Sequence, residues 1–159
     1  HMSMELFMHM TGLKMVHIPY KGGSLNVNAL IAGETQVNFS TISTALQHVK
    51  TGRLRALAVS TAKRAAAAPD IPTVNEAGLK GYDYSSWIGL LAPAKTPAAI
   101  IARLNAEVVA MVQSPEARER LDAQGYEPEA SSPQQLTDLI KSELARYATL
   151  VKVTGLKLE

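Results

Sequence analysis

Hydrophobic residues along the first 60 positions follow two spacings, one typical of strands and one typical of short helices. Short apolar or alternating runs predict the strands, and helical spacing closed by a glycine predicts the helices. The resulting order is helix 4–10, strand 14–18, helix 24–32, strand 36–40, helix 43–50 and strand 55–60. Strands that alternate with such short helices favour βαβ crossovers and a parallel sheet. The predicted fold class is therefore α/β with a parallel-rich sheet.

The last third of the chain is predicted to be helical. Three helices are expected because each begins with a serine or threonine followed by proline; they cover residues 97–113 (with Thr96 as N-cap), 115–124 and 133–153. Before them, the run SSWIGLL at residues 85–91 predicts a buried strand. A composition shift near residue 92 is interpreted as a boundary between two lobes. Trp87 is either a core residue or the wall of a ligand pocket.

Glycines or hydroxyl residues follow each predicted strand. The turn YKGGS, residues 20–24, places several backbone N–H groups beside the start of a helix, an arrangement that favours an anion. The turn FSTISTA, residues 39–45, brings four hydroxyls to the end of the next strand, and Ser60 and Thr61 follow the third. Because ligands bind at the carboxyl edge of an open parallel sheet, the three turns together indicate a polar small-molecule site. Taken singly, they are equally typical of an ordinary strand-to-helix turn and of helix N-caps.

Composition excludes several classes of function. The net charge is +2, the basic residues are scattered and only 5% of residues are aromatic, so a nucleic-acid partner is not expected. The absence of cysteine excludes disulfides and thiolate metal sites. His9, His17 and His48 lack partners at metal-ligand spacing, and neither H-E-x-x-H nor G-x-S-x-G occurs. We therefore predict no enzyme activity, no metal site and no cofactor.

Longer phrases carry a family likeness. HIPYKGG, GETQVNFS, LRALAVSTAKR and DIPTVNEAGLKGY together resemble the Bug-type receptors, the extracytoplasmic solute-binding proteins of tripartite tricarboxylate transporters. The likeness runs from about Met4 to the carboxyl end. It implies a two-lobed, type II periplasmic receptor that closes on a small carboxylate, holds it largely through backbone amides and bridging waters, and delivers it to membrane transport components.

This binding mode suits the site that the turns themselves indicate, in which backbone amides at the start of a helix face hydroxyls from the next turn. The predicted ligand-binding residues are Tyr20, Gly22, Gly23, Ser24, Ser40, Thr41 and Ser43. Lys21 would add long-range attraction without touching the ligand. Ser40 departs from the family, whose members often carry an acidic residue at this position, so the identity of the ligand does not follow from the likeness.

Family members are considerably longer than this chain, which resembles their carboxyl-terminal part. Residues 1–3 are interpreted as a cloning remnant and the start of a truncated chain, residues 4–86 as part of the second lobe, and residues 87–159 as a return segment and carboxyl-terminal helices of the first lobe. We expect an incomplete cleft, a signal peptide outside this sequence, and a periplasmic location for the full protein. Unpaired strand edges and apolar faces would then favour self-association.

Two other classes of function remain open from the sequence. A ligand-sensing effector domain of a transcriptional regulator shares the two-lobed design, and a helix-turn-helix elsewhere in the parent protein would favour it. An enzyme built on an α/β scaffold is the third, and substrate turnover would favour it.

Overall fold

A computed structural model describes residues 1–156 of the chain. Six α-helices lie in this part: α1 Met2–Thr11, α2 Gly23–Ala32, α3 Ile42–Lys50, α4 Ala98–Gln113, α5 Pro115–Ala123 and α6 Pro133–Thr154. All six were predicted, with ends that differ by at most two residues. Residues 157–159, which end the predicted first-lobe range 87–159, lie outside the described residues.

The helix ends follow local chemistry. Gly33 ends α2 in the left-handed conformation, with φ 79°, and its N–H bonds back to the last turn. Ser132 begins α6 with a capping box, in which its hydroxyl accepts from the Gln135 N–H and the Gln135 side chain accepts from the Ser132 N–H. The prediction of Thr96 as the N-cap of α4 is wrong by one residue, because Pro97 occupies that position.

The parallel sheet is not formed among residues 1–156. The predicted strands 14–18, 36–40 and 55–60 are not paired with one another, and the one ladder contact in the described part is an isolated parallel bridge between Val59 and Thr73. Alternation of apolar residues predicts an extended segment, but a strand also needs a second backbone beside it to accept and donate hydrogen bonds. That neighbour is a long-range feature, and these segments do not supply it to each other.

The described chain divides into two compact units, with the first break between Ser85 and Ser86. Unit 1 contains His1–Ser85 together with the turn Gln124–Tyr126. Unit 2 contains Ser86–Ala123 and, within the described part, residues 127–156. Whether the units correspond to the two predicted lobes stays a prediction.

The core of unit 1 is built around Tyr82, which is 1% exposed. Its ring stacks on Phe39 at 6.0 Å between centroids and meets Phe7 edge-on at 6.2 Å. Its hydroxyl donates to the Ser3 carbonyl at 2.9 Å. Burial raises the pKa of Tyr82 above its ordinary value, with smaller contributions from Tyr84 and Asp83, so the hydroxyl stays protonated and remains a donor. These contacts join the first helix to residues near position 80.

The ion pair between Arg64 and Glu76 stabilises the irregular segment between residues 60 and 82. The Glu76 carboxylate accepts from the Thr73 N–H at 2.8 Å and from Arg64 Nε at 2.9 Å. The Thr73 hydroxyl accepts from the Glu76 N–H at 3.0 Å, and Arg64 also donates to the Pro69 carbonyl. The Thr73 N–H, and next the Arg64 guanidinium, hold the pKa of Glu76 below its usual value of 4.5.

Unit 2 contains α4, α5 and α6, and α4 packs against α5. The prediction of a buried strand at residues 85–91 is wrong, because Ile88 is 84% exposed and Leu90 is 65% exposed. Trp87 is also partly exposed; its ring lies against Gly89, which in turn faces Leu136 of α6. Apolar composition here marks a surface and not a core.

We predict that Tyr82→Phe lowers the free energy of unfolding by about 1–3 kcal/mol, because it removes the buried hydrogen bond from the Tyr82 hydroxyl to the Ser3 carbonyl while leaving the rings in place. Urea denaturation measures the change. Tyr126→Phe, at a tyrosine that is 37% exposed, is the matched control and should change little. Equal effects of the two substitutions would contradict this account of the core.

Because the pKa of Glu76 is lowered in the folded state, its contacts stabilise the fold above pH 4.5, and this stabilisation is lost as the pH falls through the folded-state pKa. We predict that Glu76→Gln lowers the urea midpoint at pH 7 and that the difference from the parent protein shrinks as the pH falls below 4.5. Glu119→Gln, on an exposed position of α5, is the control. A difference between Glu76→Gln and the parent protein that stays constant as the pH falls further would contradict the prediction.

Candidate functional site

The first turns of α2 and α3 lie against each other. The two helices pack together, and a Cβ placed on Gly23 would lie 3.6 Å from Thr44 Cγ2 and 3.9 Å from Thr44 Oγ1. Gly23 is the first residue of α2 and Thr44 belongs to the first turn of α3, so two helix N-termini meet at one place. We refer to residues 22–25 and 41–44 as the paired helix starts.

Neither of the paired helix starts is capped by a side chain. The first intrahelical bond of α2 runs from the Asn26 N–H to the Gly22 carbonyl, which leaves the amides of residues 23–25 pointing beyond the helix. In α3 the first such bond runs from the Thr44 N–H to the Thr41 carbonyl, so the amides of Ile42 and Ser43 also have no acceptor within the helix. Unpaired N–H groups at the positive end of a helix dipole attract an anion, and here two such ends are adjacent.

The hydroxyls at the start of α3 bond to one another. Thr44 Oγ1 donates to the Thr41 carbonyl at 2.9 Å and lies 3.0 Å from Thr41 Oγ1. Ser43 Oγ donates to Thr41 Oγ1 at 3.2 Å. The alternative interpretation of Ser43 and Thr44 as helix caps is therefore wrong, since their hydroxyls do not reach the free amides. The chain of hydroxyls instead leaves the α3 amides exposed to a ligand.

Ser40 belongs to a second hydrogen-bonded chain. Its hydroxyl donates to Asn38 Oδ1 at 2.6 Å, and Asn38 Nδ2 donates to Asn26 Oδ1 at 3.1 Å. This chain links segment 36–40 to α2. Sequence reasoning missed Asn26 and Asn38, although Asn38 shares a face with Ser40 by strand alternation, and that signal could have found it.

Tyr20 and Gly22 precede α2. The Tyr20 hydroxyl donates to Glu34 Oε2 at 3.1 Å, and Glu34 lies just beyond the far end of the ten-residue helix. Desolvation, followed by the hydrogen bond to Glu34, raises the pKa of Tyr20. The hydroxyl is therefore directed away from Gly23 and Ser24. Gly22 has φ 105°, a conformation that favours glycine and turns the chain into the helix.

Gly125 packs on the start of α3 within unit 1. A Cβ on this glycine would lie 2.6 Å from Ile42 Cγ2 and 3.5 Å from the Ser43 backbone nitrogen. Only a residue without a side chain fits, so the turn Gln124–Tyr126 rests directly on the first turn of the helix. Sequence reasoning did not find this contact, because it joins positions more than 80 residues apart and a glycine after a helix is usual.

Metal-binding and membrane-spanning features were both considered for the class of site that the described residues form. Residues 1–156 contain no group of three or more histidine, aspartate or glutamate side chains placed to hold a metal ion. Within the same residues, no helix is long and apolar enough to cross a membrane. The geometry that the described residues do provide is a pair of uncapped helix starts surrounded by hydroxyls.

Comparison with known proteins agrees with the resemblance noted in the sequence. The family profile of the tripartite tricarboxylate transporter family receptor, TctC, matches residues 1–156. The chain belongs to this receptor family. It is 35% identical to protein BugT of Bordetella pertussis (strain Tohama I) over 159 residues, which cover 100% of this chain and 49% of BugT.

Solved structures of similar receptors share the fold. The structure of R. palustris Rpa4515 with adipate matches with a TM-score of 0.92 and 35% identity, over 98% of this chain and 52% of Rpa4515. The structure of the periplasmic binding protein BugD matches with a TM-score of 0.85 and 29% identity, over 100% of this chain and 54% of BugD. The predicted periplasmic-binding-protein fold is confirmed at this level. The chain spans about half the length of these receptor-family relatives.

We predict that Gly125→Ala lowers the free energy of unfolding by about 1–3 kcal/mol more than Gly33→Ala does. The two glycines have nearly the same φ, 78° and 79°, but nothing lies within 4 Å of a Cβ at Gly33. Both variants therefore carry the same strain from the left-handed conformation. The difference between their losses of unfolding free energy measures the clash with Ile42. Chemical denaturation of both variants measures it, and equal losses would show that the turn does not rest on α3.

Proposed function

We propose that this receptor-family chain captures a small organic carboxylate at the paired helix starts and passes it to a membrane transporter. The observation that carries the proposal is the convergence of two uncapped helix N-termini, whose free amides are the donors that a carboxylate requires. Support comes from Rpa4515, whose structure contains the dicarboxylate adipate. Gly22, Gly23, Ser24, Thr41 and Ser43 contribute to this site through their backbone or hydroxyls.

We also propose a periplasmic setting for that function. The family is that of a transporter receptor, and BugD is a periplasmic binding protein. We extend both statements to this chain, and we extend to it the non-enzymatic role of a receptor. Neither a nucleic-acid partner nor a cofactor enters this account.

A complete cleft would involve more than this chain contains. The relatives are about twice as long, so a receptor of their length has residues beyond those matched here. In such a receptor, residues 4–86 would contribute to the second lobe and residues 87–159 to the first. Segments 14–18, 36–40 and 55–60 would then join a parallel sheet whose other strands come from the additional residues.

Calorimetric titration tests the carboxylate site, with adipate as ligand, adipamide as the uncharged control and Rpa4515 as the positive control. We predict that the chain binds adipate and not adipamide. Gly23→Pro deletes one amide donor at a helix position that tolerates proline, and should weaken adipate binding by roughly 10-fold or more. Gly23→Ala keeps the amide, and its Cβ makes only ordinary contact with Thr44, so its affinity should match the parent protein.

Two results would contradict the proposal. Absence of adipate binding by the chain, with Rpa4515 binding normally, would remove the carboxylate site. Equal affinities of Gly23→Pro and Gly23→Ala would show that the α2 amide does not hold the ligand.

Self-association is a second part of the proposal. Apolar side chains on unpaired extended segments are exposed, with Val16 at 85% and Leu57 at 65%. Exposed apolar segments with unpaired backbone favour pairing with another chain. We predict a dimer or larger species by light scattering at high concentration, reduced by Val16→Lys but not by Gln36→Lys at an exposed polar position. A monomer at all concentrations would contradict this part alone.

A further inference from the structure

The charges of the chain are unevenly distributed along the sequence. Residues 35–69 carry five Lys or Arg side chains and no Asp or Glu, whereas residues 121–140 carry four Asp or Glu side chains and no Lys or Arg. Over the full chain the charges nearly cancel, to a net charge of +2. Two copies of the chain therefore repel each other only weakly, and oppositely charged surfaces can determine how they meet.

Three exposed side chains form a positively charged face just beyond α3. The chain folds back there, because the N–H groups of Arg53 and Leu54 both donate to the His48 carbonyl, at 2.8 Å and 3.1 Å. From Arg53 onward, residues 53, 55 and 57 are exposed, while residues 54, 56 and 58 are half-buried. Side chains two residues apart in an extended segment share a face. We refer to Arg53, Arg55 and Leu57 as the arginine face.

Two carboxylates form a matching face in the segment between α5 and α6. Glu127 and Glu129 are exposed, and residues 128 and 130 beside them are half-buried. The same alternation therefore places both carboxylates on one side of the segment, at the spacing found in the arginine face. Two residues of extended chain span about 6.6 Å, so each carboxylate can face one guanidinium. We refer to Glu127 and Glu129 as the carboxylate face.

Three of these charged side chains lack an ion-pair partner among the described residues. They are Arg53, Arg55 and Glu129, whereas Arg64 and Arg120 do pair with carboxylates of the same chain. A guanidinium donates to both oxygens of a carboxylate, and each carboxylate has room for several donors. The arginine face is thus able to bind carboxylates from outside the chain, and a second copy supplies two of them at the matching spacing.

We propose that the arginine face of one copy binds the carboxylate face of a second copy, with Leu57 adding an apolar contact beside the two arginines. This inference rests on the self-association through apolar segments proposed above, to which it adds a charged interface, and it does not depend on the carboxylate site. Every copy carries both faces. Reciprocal contacts therefore give a closed dimer, and one-way contacts give longer chains.

Charge reversal tests the pairing, with the association constant measured by sedimentation equilibrium. Arg53→Glu with Arg55→Glu makes both faces acidic, and Glu127→Arg with Glu129→Arg makes both faces basic. We expect each double variant alone to associate roughly 2- to 30-fold more weakly than the parent protein, the range for two exposed ion pairs. An equal mixture of the two variants should recover the association of the parent protein, because oppositely charged faces then meet again.

Salt and a control variant separate this pairing from other causes of association. Raising the ionic strength from about 0.01 M to about 0.15 M shortens the screening length from about 30 Å to about 8 Å, so it should weaken the association of the parent protein. Lys80→Glu with Lys95→Glu changes the net charge as much as the double arginine variant does, at exposed positions outside both faces, and should associate as the parent protein does. Circular dichroism confirms that each variant is folded.

The outcomes separate the charged interface from the other proposals. A mixture that does not recover association, or equal weakening by the lysine control, would overturn the charged interface and leave association through apolar segments in place. An association of the parent protein that neither salt nor charge reversal changes would do the same. A parent protein that is monomeric at every concentration would overturn both kinds of association, while adipate titration tests the carboxylate site independently.

Discussion

At Gly23 the backbone of α2 comes so close to α3 that a Cβ would touch Thr44. This contact brings together two helix ends that would repel each other in isolation, because both carry the positive end of a helix dipole. An anion between them removes that repulsion and supplies acceptors for amides that have none in the helices. The candidate site is thus a place where the fold is more favourable with a ligand than without one.

Neighbouring features keep these amides accessible. The hydroxyls that could have capped α3 are bonded to one another, and Tyr20 is directed toward Glu34 at the far end of α2. At α6, by contrast, Ser132 and Gln135 cap the helix start fully. Among the described helices, Ser114 also caps the start of α5, whereas α1, α2, α3 and α4 have no side-chain cap. Of these uncapped starts, those of α2 and α3 lie against each other.

Local features of the fold were predictable from the sequence, and long-range ones were not. Helix ends depend on residues within one turn, so Gly33 and the Ser132 capping box could be identified directly. Pairing of segments 14–18, 36–40 and 55–60 depends on distant backbone, and the predicted sheet is not formed among residues 1–156. The contact of Gly125 with Ile42 and the Asn26–Asn38–Ser40 chain are likewise tertiary, so the sequence did not predict them. That the predicted site residues contact a ligand stays a prediction.

The central claim is that amides of the paired helix starts hold a carboxylate. Amide chemical shifts of ¹⁵N-labelled protein, followed during titration with adipate, test it most directly. The account predicts saturable shifts concentrated at residues 23–25 and at Ile42 and Ser43, with the capped start of α6 unaffected as an internal reference. Shifts of equal size at α6, or an unchanged spectrum at the paired helix starts, would contradict it.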